Sequence, residues 1–96
     1  MKTNRVHILY VFNCDISKAL LALNPELDDE TAIKAIFDKI KENEINDIDE
    51  DEYEEITNDE ELMSYARRIW LYHDSIYIDT RWEATYGIAT NVELLS

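Results

Sequence analysis

The first apolar block, Val6-His7-Ile8-Leu9-Tyr10-Val11-Phe12, carries apolar side chains on both alternating faces, with His7 the exception. That pattern predicts a strand covered on both sides and central in its sheet. Asp15 or Ser17 can cap a short helix with Ala19, Leu20 and Leu23 on one face. Asn24-Pro25 ends it, because proline pushes the preceding residue out of helical geometry. A second helix is expected from Asp28 or Asp29, with acids in its first turn. Ile33, Ile36, Phe37 and Ile40 form its buried stripe, and the pattern fades after Glu42.

Residues 43–56 keep neither a helical nor a strand period. Their apolar members, Ile45, Ile48, Tyr53 and Ile56, predict an irregular segment pinned to the body. Thr57-Asn58-Asp59-Glu60 has the spacing of a capping box and predicts a helix over 58–73. Leu62, Tyr65, Ala66, Ile69 and His73 share one face of it, with Trp70 beside them. Ser75–Asp79 reads as a strand. Trp82, Ala84 and Tyr86 alternate with polar residues as in a second strand, and Val92–Leu95 suit a short third one. Gly87 marks a bulge or turn. The fold class is α+β: a single domain over 1–96 in the order β-α-α-α-β-β(-β), with helices packed on a mostly antiparallel sheet. Leu9, Tyr10, Ile36, Phe37, Ile40, Ile69 and Trp82 are the expected core.

Charge changes the picture in one place. The 96 residues carry a net charge of −13, from 22 acidic and 9 basic side chains. Residues 42–61 hold 12 of the acids and no base, so the rest of the chain, with 10 acids and 9 bases, is nearly neutral. Acidity selected for solubility alone would be spread more evenly.

Other chemistry is sparse. Cys14 is the single cysteine, which excludes an internal disulfide and suits a reducing cytoplasm. Met1–Arg5 before Val6–Phe12 has the outline of a signal peptide, but His7, Tyr10 and the missing small-x-small site favour a buried strand. Nothing approaches the ~18 apolar residues of a membrane helix. One glycine excludes a glycine-rich phosphate loop, and no G-x-S-x-G is present. Asp47-x-Asp49-x-Asp51 has the opening rhythm of an EF-hand. Glu52 replaces its turn glycine, however, and Asn58 its bidentate glutamate, so no metal site is expected. One cysteine and two distant histidines, His7 and His73, make no zinc spacing. No cofactor and no catalytic residue is expected. The scattered bases and the net field argue against direct nucleic-acid binding.

The acidic run is what remains. Twelve uncompensated carboxylates repel one another at a cost in folding stability. Their sign and rough spacing resemble the phosphate charge of a nucleic-acid strand. The expected binding residues are Glu44, Asp47, Asp49, Glu50, Asp51, Glu52, Tyr53, Glu54, Glu55 and Asp59. The expected partner is a positively charged protein, a nucleic-acid-processing enzyme by preference; self-association is left open. In size and charge the chain resembles the general class of small acidic inhibitors: phage anti-restriction and anti-CRISPR proteins, and immunity proteins of nuclease toxins. The likeness is of physical type, and no motif carries it. It implies a cytoplasmic inhibitor that is not an enzyme, acting in the host cytoplasm if phage-encoded. The alternatives are an immunity protein and an acidic adaptor module.

Overall fold

In the computed structural model, residues 4–12, 17–45, 58–78 and 84–94 are described. They form a four-stranded antiparallel sheet with two helices on one face, an α+β architecture as the sequence predicts. In chain order the elements are β1 (Asn4–Phe12), β2 (Ser17–Leu23), α1 (Asp29–Ile45), α2 (Asp59–Tyr72), β3 (Ile76–Ile78) and β4 (Ala84–Leu94). The strand order is β2-β1-β4-β3, so β1 is central as expected.

The first expected helix is a strand. Ser17–Leu23 pairs antiparallel with β1, Leu9 facing Leu21 and Phe12 facing Ser17. Ala19, Leu20 and Leu23 fit helical spacing, but seven residues are too few for a stable helix without tertiary support. Pairing with β1 satisfies the backbone groups along one edge of the strand, and a bulge at Leu20 lets Leu21 and Leu23 face the helices. Asn24 then closes a turn: its carbonyl accepts from the Leu27 N–H at 3.1 Å and its side chain from the Glu26 N–H at 2.9 Å.

α1 begins where the sequence places it. The Asp28 carboxylate accepts from the Thr31 N–H at 3.1 Å and from its hydroxyl at 2.7 Å. These bonds, the hydroxyl's foremost, hold the Asp28 pKa below its usual value. α2 is capped one residue later than expected, by Asn58, whose side chain accepts from the Glu61 N–H at 2.8 Å. Thr57, the expected cap, lies outside the described residues, as do Cys14 and Trp82. His73 is not on the buried face. It ends α2 in the left-handed conformation, φ 56°, exposed to solvent.

The core lies between the helices and the inner face of the sheet. Leu9, Ile33, Ile36, Ile40, Leu62, Ile69 and Tyr86 are its largest fully enclosed side chains. Among the described residues, the helices cover one face of β1 and not the other, contrary to the two-sided expectation. Leu9 is buried toward the helices, whereas Ile8 and Tyr10 are half-buried and Phe12 is 42% exposed on the other side. Gly87 is neither a bulge nor a turn. It sits inside β4 beneath Tyr10, where a Cβ would lie 2.7 Å from the tyrosine oxygen. The bulge falls at Thr90–Asn91, with Asn91 at φ 55°, and it lets the expected third strand continue β4.

Candidate functional site

The two helices form an antiparallel hairpin, and three polar contacts tie its length. Lys41 of α1 meets Asp59 of α2 at 3.1 Å, Arg67 of α2 meets Glu30 at 3.7 Å, and the Trp70 indole N–H donates to Asp29 at 2.9 Å. The C-terminus of α1 therefore lies beside the N-terminus of α2. The acidic run begins in the last turns of α1 and ends in the first turn of α2, so both of its ends are held at one end of the helical layer.

The two helix ends differ electrostatically. The positive N-terminus of α2 favours Asp59, Glu60 and Glu61. The negative C-terminus of α1 disfavours Glu42 and Glu44, and no base stands in its last turn. Glu42 is compensated by Lys39 at 3.8 Å. Glu61 accepts from the Tyr65 hydroxyl at 2.6 Å, and its carboxylate holds the tyrosine pKa above its usual value.

Glu44 departs from the expected binding surface. It is buried, 5% exposed, and accepts a hydrogen bond from the Tyr86 hydroxyl. That hydroxyl in turn accepts from the Asn43 amide at 2.7 Å. The helical spacing already pointed there: Glu44 stands four residues after Ile40, on the stripe of Ile33, Ile36 and Phe37. Tyr86→Phe removes the hydrogen bond to the buried Glu44 carboxyl group and leaves its oxygen without that donor, and is expected to cost about 1–3 kcal/mol in chemical unfolding. A loss under about 0.5 kcal/mol would mean that the buried contact contributes nothing net.

Asp59 is exposed and paired with Lys41. Asp47, Asp49, Glu50, Asp51, Glu52, Tyr53, Glu54 and Glu55 lie outside the described residues, as does the EF-hand-like triplet they contain. Among the described residues, no three His, Cys, Asp or Glu side chains gather closely enough to hold a metal ion. No described helix is long and apolar enough to cross a membrane.

The cations of the body are already engaged. Of the seven described Lys and Arg residues, six have a carboxylate within 4.0 Å: Arg5, Lys34, Lys39, Lys41, Arg67 and Arg68. Two of these six, Lys39 and Lys41, pair with described acids of the run, Glu42 and Asp59. Most of the body's positive charge is thus spent on acids elsewhere, and the surplus negative charge belongs to 42–61.

No protein-family model, curated protein or solved structure matches the chain.

Sequence reasoning could not join the two histidines, which the fold brings together. The His7 ring lies 6.1 Å from that of His73 and 5.5 Å from that of Trp70. Its Nδ1 accepts from the Asn91 N–H at 3.2 Å across the β4 bulge. Desolvation, and secondarily the neighbouring His73, lower the His7 pKa from the usual 6.5. The unfolded chain therefore takes up this proton first. The contribution of neutral His7 to stability is complete above pH 6.5 and is lost as pH falls through the lower, folded value. A proton NMR titration should give His7 a midpoint below 6.5. A midpoint above it would show that the chain's negative field outweighs burial.

Proposed function

We propose that this protein is a small acidic inhibitor that acts by binding, not by catalysis. Its acidic helix-hairpin end occupies a positively charged, nucleic-acid-handling surface of a partner enzyme. The observation that supports this most is the partition of charge. The helical layer pairs its own cations internally, while a run of 12 acids is anchored at both ends to one end of that layer. Clustered carboxylates repel one another, and anchoring both ends adds conformational restriction. A basic groove that normally takes phosphates offsets that repulsion on binding, and the long-range field speeds the encounter.

Affinity capture from the source cell or its host tests the reading. Wild-type protein is compared with a chain in which Asp47, Asp49, Glu50, Asp51, Glu52, Glu54 and Glu55 become Asn or Gln. Recovery of a nucleic-acid-processing enzyme by the wild type alone supports it. Recovery of basic proteins that do not handle nucleic acid favours an adaptor instead. Equal recovery by both chains contradicts a role for the acidic run.

A further inference from the structure

The bulge in β4 is closed by a side chain that titrates. Beyond it, Asn4–Val6 and Val92–Leu94 pair only with each other among the described strands. β2 joins β1 from His7 onward, and β3 meets β4 at Ala84–Tyr86. This end of the sheet is therefore a two-stranded ribbon of three residue pairs. Such ribbons are marginal in water without further support. Val6 faces Val92 and both are half-buried. Arg5 and Glu93 form an exposed ion pair at 3.2 Å, which contributes little.

His7 supplies the support. Val6 faces Val92 and Ile8 faces Ala89, so Thr90 and Asn91 both stand opposite His7. A bulge of this kind leaves its extra residue out of the ladder. Asn91 takes the left-handed conformation, φ 55°, and its N–H donates to His7 Nδ1 at 3.2 Å. The imidazole thus serves this N–H in place of a ladder carbonyl. Nδ1 can accept only while it carries no proton, with the proton of the neutral ring on Nε2. A proton on Nδ1 sets one N–H against another, and Asn91 loses its tether.

The surroundings favour the neutral ring. α2 contributes Trp70, 5.5 Å away, and at its cap His73, 6.1 Å away, whose own proton would repel a second. β2 contributes the apolar Leu23. The carboxylates of this end are engaged: Glu93 of β4 with Arg5, Asp74 after α2 with Arg68, and Asp29 of α1 with the Trp70 indole. The Val6 carbonyl favours the charged ring, but that is a contact within β1 and does not hold the bulge.

We infer that neutral His7 is a latch: its protonation releases Asn91 and opens the Asn4–Val6 and Val92–Leu94 ribbon, while the rest of the sheet stays paired. The open ribbon holds the proton more tightly than the closed one. Opening therefore grows as pH falls from 6.5 toward the folded midpoint of His7, and levels off below it. The limiting increase is about tenfold for each pH unit between the two midpoints. The ribbon lies at the Trp70–Asp29 end of the helix pair, opposite the acidic run, so its opening leaves that run in place. Amide hydrogen exchange by NMR on the full chain, followed together with the His7 ring resonances, tests the latch. Protection of the Asn4–Val6 and Asn91–Leu94 amides, corrected for intrinsic exchange, should fall as His7 takes up its proton. Leu9 and Tyr86 should keep theirs. His7→Asn sets an amide oxygen where Nδ1 stands and does not titrate, so its ribbon should stay closed on acidification. His7→Leu has no acceptor, and its ribbon should be open at neutral pH as well. His73→Gln removes the repelling neighbour and should raise the His7 midpoint and the pH of opening together. Protection that survives protonation of His7 overturns the proposal, as does protection lost equally throughout the sheet. So does a pH-dependent loss that persists in His7→Asn, or a ribbon in His7→Leu as closed as the wild type's. These readouts involve no partner, so the latch and the proposed function fail separately.

Discussion

Changing Asp47, Asp49, Glu50, Asp51, Glu52, Glu54 and Glu55 together to Asn and Gln is expected to weaken partner binding by more than about tenfold while the fold is kept. Seven fewer negative charges would leave −6 from the present −13. The loss should fall mostly on the association rate, because a clustered field acts before contact. Added salt should weaken the wild-type complex more than the variant's, as screening removes what the variant already lacks. Single substitutions should do less, since a diffuse array shares its effect. A carboxylate desolvated at the interface centre would be the exception. Stability should hold or rise, because repulsion among neighbouring carboxylates is relieved. Full affinity after neutralisation would remove the acidic run from the account. Lost affinity with lost fold would show that the run serves stability.

The second large effect concerns the core. Ile36 is fully enclosed on the buried stripe of α1, between α2 and the inner sheet face. Ile36→Ala removes three carbons from a packed site and leaves a cavity that its neighbours fill only in part. The expected cost is about 2–5 kcal/mol in urea unfolding. That is a large share of the stability of a domain this small. A loss under about 1 kcal/mol would mean that the site collapses without penalty, or that α1 packs less tightly than its burial indicates.

The helices were legible because their apolar positions repeat over several turns. Ile33, Ile36, Phe37 and Ile40 could bury together only on a helix, and Leu62, Ala66 and Ile69 did the same for α2. β2 was not legible. Seven residues with alanines and leucines fit either period, and pairing with β1 decides the outcome. The two-sided apolar pattern of β1 predicts two-sided burial. Half of it faces outward, and its apolar character there is a surface property. The neighbours of Glu44 in sequence point to the acidic surface, whereas its helical position places it inside. The bulge at Thr90–Asn91, which joins two apparent strands into one, has no periodic signature. The acidic run itself was plain from composition. Its placement between the adjacent ends of an antiparallel helix pair needed the tertiary contacts Lys41–Asp59 and Trp70–Asp29.

The central claim is that the acidic end competes with nucleic acid for one basic surface, and a competition measurement tests it most directly. The captured enzyme is loaded with fluorescently labelled nucleic acid and titrated with this protein, with anisotropy and complex mass both followed. Mutually exclusive binding is predicted: nucleic acid is released as the protein binds, and the seven-residue variant releases it only at more than about tenfold higher concentration. A stable ternary complex, with the nucleic acid still in its usual channel, would contradict the account.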